Sequence, residues 1–330
     1  MSSPVLSVIV VSWNVRDCLR DCLVSLERRV SLPAESIEVI VVDNDSADGS
    51  AGMVAREFPR VMVQANRENL GFGRANNQAF RTCRGRYVLL LNPDTVVRDG
   101  AVDRMMQTME GRPDVGVVGC RLVGADGSFQ RWTGGHVPTL PNVICHFLLA
   151  YKVLPGRLLP PALYLENDPS ADLEVGWVSG ACMLLRREAL GSRIFDERFF
   201  LYGEDVELCD RLSRAGWKVV YTPAASIVHH EGRSFEAARS PELKASKLRG
   251  LRQVFALSHG SAACLCYDLV VAAGFLLRSA LFGLAAAVRP GRGLEARAAR
   301  SRRFLREAVR TLISRGTDVT PQPGGGEGPL

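Results

Sequence analysis

Lysine is scarce in this chain: only four of its 41 basic residues are Lys (Lys152, Lys218, Lys244 and Lys247), and the remainder are Arg. No Cys-x-x-Cys pair occurs. The nine cysteines (Cys18, Cys22, Cys83, Cys120, Cys145, Cys182, Cys209, Cys264 and Cys266) form an odd, scattered set, which signals neither a disulfide framework nor a zinc site and fits a reducing compartment. Residues 12–17 contain no glycine, so the first strand lacks the glycine-rich turn that a dinucleotide-binding dehydrogenase or a methyltransferase requires. Basic runs interleaved with aromatics are also missing, so nucleic acid is not an expected partner. The amino terminus, MSSPVLSVIVV, has no basic segment ahead of its short β-branched run, and it reads as a first strand rather than a signal peptide. The main domain is therefore expected in the cytosol.

What is present is ordinary globular usage: 330 residues, 47% hydrophobic and 23% charged, with 31 Gly and 17 Pro. That length suits one large domain plus an appendage. Net charge is +6, and from Glu231 onward 16 basic residues face 8 acidic ones, a balance of +8 that leaves −2 for everything before it. A basic tail without nucleic-acid signatures points to an anionic membrane surface.

Strand and helix patterns alternate through the first part. Leu6–Ser12, Ile37–Val42, Val61–Gln64 and Tyr87–Leu91 are short apolar runs of the kind buried in a parallel sheet, and Val15–Leu26, Ala51–Phe58 and Arg74–Cys83 carry helical spacing. The predicted fold class is α/β, a mainly parallel Rossmann-like sheet with helices on both faces and ligands at the carboxyl ends of the strands. Polar clusters sit at those ends: Ser12-Trp13-Asn14, Asp43-Asn44-Asp45 and Asn92-Pro93-Asp94. Any one of them by itself reads first as turn formers and helix caps, and three such clusters at one sheet edge weaken that reading.

After a strand over Val115–Val123, residues 133–170 form a Pro-rich irregular stretch, of the kind used as a functional loop, with some helical character around Val143–Val153. Val175–Arg186 resumes as a strand-like run. Phe199-Phe200-Leu201-Tyr202-Gly203-Glu204-Asp205 is the densest acid and aromatic cluster, ahead of a helix that stops at Gly216, and final strands over Lys218–Tyr221 and Ser226–Val228 end at His229-His230. Leu269–Val288 has 20 residues and one charge, Arg278, which touches the length needed to cross a bilayer, although Asp268 just before it, Arg278, Gly274 and Gly283 make it a mediocre span. An Arg-rich amphipathic helix over Leu294–Ile313 follows. The expected organisation is a catalytic-size domain over 1–240, a helical membrane-associated region over 241–316 and a disordered tail over 317–330.

The segments SVIVVSWN, VIVVDNDSADGS, NLGFGRANN, LLLNPDT, WVSGACMLLRREAL, FDERFFLYGEDVELCDRL and HHEGRS occur in an order that resembles a family 2 glycosyltransferase of the GT-A fold, nearest its rhamnosyltransferase-like members. The resemblance spans about residues 5 to 235. It implies an inverting sugar transfer from a nucleotide-diphosphate sugar to a hydroxyl of a glycan or lipid-linked acceptor, in cell-surface polysaccharide synthesis; the basic tail and its apolar segment lead to the expectation of peripheral or re-entrant attachment at the cytoplasmic face of the membrane. Rhamnose from a thymidine-diphosphate donor is the sugar it suggests, with other deoxyhexoses, galactofuranose and hexoses open. A leaving diphosphate needs its charge neutralised, and oxygen ligands suit a divalent cation, Mg2+ or Mn2+.

By the same resemblance Asp94 is the metal-binding acid, Asn92 stands where the family's pattern has an acid, and His229 is the metal-side histidine with His230 beside it. Asp43 accepts from the imino group of the base, Trp13 stacks near it, and Val11 and Ser12 supply backbone contacts. Asp205 is the general base, Glu204 orients acceptor or base, and Trp177, Ser179 and Gly180 floor the acceptor site. Read as ordinary residues, Trp13 is equally a packing side chain, His229 a solvated strand end, and Asp205 the N-cap of the helix that follows.

Gln130-Arg131-Trp132 has the wrong spacing for the Gln-x-x-Arg-Trp signature of processive polysaccharide synthases, which favours a non-processive enzyme. Two alternatives differ in class. A sugar nucleotidyltransferase would need a glycine-rich, basic first loop, and a non-catalytic glycan or lipid-carrier binding protein of the same fold would be marked by loss of Asp94 or Asp205. The first loop is Ser12-Trp13-Asn14-Val15-Arg16, and both acids are present.

Overall fold

The computed structural model describes residues 4–230, 241–289 and 291–314. The proposed tail over 317–330 and the Glu231-Gly232-Arg233-Ser234 end of the last motif lie outside the described residues. Two compact units are present, one within Met1–Pro138 and Pro161–Leu257 and the other within Thr139–Pro160 and Ser258–Leu330.

The first unit runs β1 (Leu6–Ser12), α1 (Arg16–Arg29), β2 (Ile37–Asp43), α2 (Ser50–Glu57), β3 (Met62–Ala65), α3 (Phe72–Phe80), β4 (Tyr87–Leu91), β5 (Thr95–Val97), α4 (Ala101–Glu110) and β6 (Val115–Val123). After β7 (Gly134–Gly135) the chain leaves for α5 (Leu140–Phe147) of the second unit. It returns through β8 (Leu173–Glu174), β9 (Trp177–Val178), β10 (Cys182–Arg186), α6 (Glu204–Arg214), β11 (Lys218–His229) and α7 (Pro241–Ser258). The main sheet has the order β3-β2-β1-β4-β10-β6-β11-β5. Its β3-β2-β1-β4 half is parallel, as the continuous apolar runs require. In the other half β10 runs antiparallel to both β4 and β6, while β11 is parallel to β6 and antiparallel to β5.

Alternation along each strand divides the core into two layers. Val8, Val10, Leu89 and Leu91 pack against α1, α2 and α4, whereas Ile9, Ile40, Val88 and Leu90 pack against α3 and α6. Helix α4 buries Val102, Met105, Met106 and Met109. Sequence reading passed over it, since its apolar residues are mostly methionines set among charges. The run over 175–186 is two strands broken at Ser179–Ala181, and the two final strands are one, β11, with a register shift between Thr222 and Ser226 that lets it stay beside β6 while turning onto β5.

The second unit contains α5, α8 (Ser261–Val288) and α9 (Arg292–Ser314). A Cβ on Gly274 would lie 2.6 Å from the Phe147 carbonyl oxygen, so glycine is what lets α5 end against α8. Arg278 donates to the exposed carbonyls of that helix end, His146 O at 2.6 Å and Phe147 O. Gly274 and Arg278, two of the residues that weaken Leu269–Val288 as a span in the sequence, thus serve an internal helix contact. Helix α8 is long and apolar enough to cross a membrane, alone in this among the described residues. Leu265, Leu269 and Leu276 are exposed and fall within about 40° of one another at 3.6 residues per turn.

Candidate active site

Ser12 and Asp43 are register partners at the carboxyl ends of β1 and β2. Both are buried, and Asn44 N–H donates to Ser12 O at 2.8 Å, which locks the two strand ends together. Asp43 Oδ2 accepts from Ser46 N–H at 3.1 Å, while its Oδ1 and the Ser12 Oγ are buried without a hydrogen-bond partner among the described residues. A buried carboxylate oxygen without a donor is costly, and a ligand bringing an N–H relieves that cost. Trp13 is half-buried beside them and Val11 is held in β1 by its pairing with Val42. Asn14 has a positive φ of 54° and binds the next loop through Ala47 N–H (2.7 Å) and Ser46 Oγ (2.9 Å).

The second strand-end group follows β4. Asn92 N–H donates to Ala181 O at 2.9 Å, and its carbonyl accepts from Thr95, so Asn92 makes the turn into β5. Asp94 is 2% exposed. Because β11 pairs antiparallel with β5, with His229 opposite Thr95, it brings His229 Nε2 to 3.4 Å from Asp94 Oδ1, and His230 N–H donates to Asp94 O at 2.9 Å. Spacing alone does not bring these residues together; the return of β11 does.

Asp205 lies in the first turn of α6. The N-cap is Gly203, at φ 97°, so Asp205 is not the cap expected in the ordinary reading. Its Oδ1 accepts from Val206 N–H at 2.9 Å and its Oδ2 from Gly180 N–H at 3.2 Å. A Cβ on Gly180 would meet Phe72 at 3.4 Å and Asp205 at 3.8 Å, ordinary contacts, so its N–H rather than its missing side chain ties this glycine to the site. Ser179 Oγ accepts from Ala181 N–H, and Trp177 is buried, with its indole N–H on Leu163 O at 3.2 Å. Trp177 therefore backs the floor, edge-on to Tyr164, and Trp132, 49% exposed, meets that same tyrosine with ring centroids 4.3 Å apart.

Two carboxyls share this turn and ionise unequally. Burial, then the Asp205 charge, pushes Glu204 up to about 8. Burial also raises Asp205, opposed by the Gly180 and Val206 N–H groups and by the Lys247 charge. Those opposing groups assign the negative charge to Asp205 and the proton to Glu204. Lys247 was missed in the sequence because it lies in the region read as a membrane appendage. It stands on α7, with Nζ 5.0 Å from the Tyr202 ring and 5.6 Å from that of Trp132. Only glycine at 250 lets α7 approach: a Cβ there would lie 2.3 Å from Tyr202 O.

The two halves of the site are tied by Gly71. Its φ is 80°, and a Cβ would meet the Phe200 ring at 2.7 Å. Asn44 Nδ2 donates to Gly71 O, and Phe72 N–H donates to Phe200 O at 3.1 Å, linking the loop after β2 to the loop before α6.

Asp94 and His229 supply a carboxylate oxygen and an imidazole nitrogen on one spot. That donor set fits a divalent cation of the Mg2+ and Mn2+ class. Among the described residues no group of three or more His, Cys, Asp and Glu side chains gathers.

Residues 7–193 match the family model described as glycosyl transferase family 2. The N-acetylglucosaminyl-diphospho-decaprenol L-rhamnosyltransferase of Mycobacterium tuberculosis is 31% identical over 242 residues, 70% of this chain and 77% of that protein. The rhamnosyltransferase WbbL of Escherichia coli is 28% identical over 176 residues, 50% of this chain and 64% of that one. In fold, the mannosyltransferase PcManGT of Pyrobaculum calidifontis, solved with GDP-Man and Mn2+, superposes with a TM-score of 0.58 at 16% identity, over 95% of this chain and 88% of that chain.

Proposed function

The chain belongs to glycosyl transferase family 2 and is a glycosyltransferase of the GT-A fold, and on that premise we propose that it transfers a sugar with inversion from a nucleotide-diphosphate donor to a hydroxyl of a lipid-linked glycan. The observation that carries the reading is the arrangement of three acids around the carboxyl ends of the parallel strands: Asp43 with a buried oxygen that lacks a donor among the described residues, Asp94 beside His229, and, in the first turn of α6, Asp205 held by the Gly180 and Val206 N–H groups next to Glu204.

Asp43 receives the imino N–H of a uracil or thymine base, and Trp13 with the backbone of Val11 and Ser12 lines that end. Asp94 and His229 would hold a divalent cation, whose chemistry there would be to neutralise charge on a leaving diphosphate. Asn92 contributes its amide to the donor rather than a second charge. Asp205 accepts the proton of the acceptor hydroxyl as the oxygen bonds to the anomeric carbon, while the bond from that carbon to the diphosphate oxygen breaks on the opposite face. Raised basicity suits Asp205 to this work, and the neutral Glu204 beside it keeps a second negative charge away. Ser179 and Gly180 hold the acceptor edge.

The donor is proposed to be dTDP-L-rhamnose, the sugar nucleotide that the family resemblance suggests, and the acceptor a polyprenyl-diphosphate-linked sugar, by analogy with the mycobacterial N-acetylglucosaminyl-diphospho-decaprenol L-rhamnosyltransferase. Helix α8 is proposed to hold the enzyme to the cytoplasmic face of the membrane, where such an acceptor lies. Incubating the protein with radiolabelled nucleotide sugars, Mn2+ and a polyprenyl-diphosphate N-acetylglucosamine tests this. Label should pass to the lipid from the rhamnose donor; transfer from a hexose donor alone would replace the sugar, and transfer to none would overturn the reading.

A further inference from the structure

Gln130 makes two hydrogen bonds to one residue. Its Nε2 donates to the His229 carbonyl oxygen at 2.8 Å, and its Oε1 lies 2.9 Å from His229 Nδ1. The amide orientation is decided by the first contact, because a backbone carbonyl accepts and never donates. The NH2 group must face that carbonyl, so Oε1 must face the ring. An amide oxygen only accepts, so Nδ1 carries the proton, and in the neutral imidazole Nε2 keeps its lone pair. Nε2 is the atom 3.4 Å from Asp94 Oδ1.

Local structure holds Gln130 in place. The chain leaves β6 through a tight turn in which Gly124 N–H donates to Ser128 O at 2.8 Å, bridges Val123 to Phe129, and ties Gln130 N–H to Leu122 O at 3.0 Å. Leu122 pairs with Ile227 of β11. The side chain of Gln130 is thereby set beside the end of the strand that delivers His229.

We propose that Gln130 is the positioning residue of the cation site: it fixes the tautomer and ring orientation of His229 so that Nε2 is presented, next to Asp94, as a ligand. The inference rests on the reading of Asp94 and His229 as cation ligands. A metal-bound histidine whose other ring N–H is held by an acceptor is a better and better-aimed ligand, and loss of such an acceptor costs about 10- to 100-fold in metal affinity. With Gln130 removed, the ring is released to turn or to place a proton on Nε2, which would point an N–H at the cation's position.

The test measures Mn2+ binding to the full chain in the presence of dTDP, by electron paramagnetic resonance, for Gln130→Leu, Gln130→Glu and His229→Ala. Gln130→Leu should weaken Mn2+ by about 10- to 100-fold, with dTDP affinity in chelator unchanged, and Gln130→Glu, which still accepts from Nδ1, should recover most of the loss. Nitrogen-15 spectra of histidine-labelled wild-type protein, at a pH where the ring is neutral, should show His229 protonated on Nδ1. A proton on Nε2 there overturns the proposal even if a variant fails to fold. Equal losses in Gln130→Leu and Gln130→Glu also overturn it. A loss in His229→Ala but not in Gln130→Leu removes Gln130 and keeps the cation site, whereas no loss in His229→Ala removes the ligand assignment beneath both.

Discussion

The backbone N–H of Gly180 donates to Oδ2 of Asp205 at 3.2 Å. This bond joins the break between β9 and β10 to the first turn of α6. Because Ala181 O also accepts from Asn92 N–H, it connects Asp205 through two successive residues to the strand end that carries Asp94. Asp205 and Asp94, the proposed base and the proposed cation-binding acid, are placed by one short stretch of backbone, and the predictions below follow from that layout.

Glu204 should make stability pH-dependent. Its folded-state pKa is raised from the ordinary carboxylate range to about 8, so the folded protein holds a proton there that the unfolded chain has lost. Stability contributed by that proton is complete below the ordinary carboxylate range and is lost as pH rises toward about 8, levelling off above it. Urea unfolding of Glu204→Gln across this range should lack that decline relative to wild type; parallel curves would contradict the assignment.

Gly71→Ala should destabilise the first unit by about 1–3 kcal/mol, since alanine there is strained at φ 80° and its methyl meets Phe200. Thermal unfolding checks this, and donor affinity should fall with it because Gly71 anchors Asn44. An unchanged melting temperature would show that the loop moves away at no cost.

Asp94→Asn keeps size and removes charge. Titration with dTDP should show that the variant has lost the Mn2+-dependent gain in affinity while keeping the affinity measured in chelator, since Asp43 and not Asp94 is the proposed partner of the base. A retained Mn2+ response would move the cation to other ligands.

The exposed leucines of α8 predict membrane attachment by apolar burial. Leu269→Glu with Leu276→Glu should shift the full-length protein from the membrane pellet to the supernatant, while high salt releases wild type only partly. Equal partitioning of variant and wild type would remove α8 as the anchor.

Much of this was legible in the sequence, and the reasons are physical. Strands β1, β2, β4 and β6 are apolar on both faces, and α6 has a clean helical stripe, so their periods stand out. The placement of Asp43 and Asp94 at strand ends could be read from the strand pattern, while the roles expected of them came only with the family resemblance. What could not be read depends on non-local pairing. The approach of His229 to Asp94 requires β11 to run through a register shift onto β5, and the contact of Lys247 with the Tyr202 turn requires a glycine, Gly250, on the same helix α7. Gln130 looked like a failed motif, because its partner is a backbone carbonyl and a ring nitrogen far along the chain.

The central claim is that Asp205 takes the acceptor proton. Single-turnover transfer by Asp205→Asn, measured with saturating donor and Mn2+ beside a melting curve that confirms folding, tests it most directly. The account predicts a rate lower by about a hundred-fold or more with donor affinity within a few-fold of wild type, since Asp43, Asp94 and His229 remain. A folded variant that transfers sugar at a near-normal rate would contradict it and place the base elsewhere.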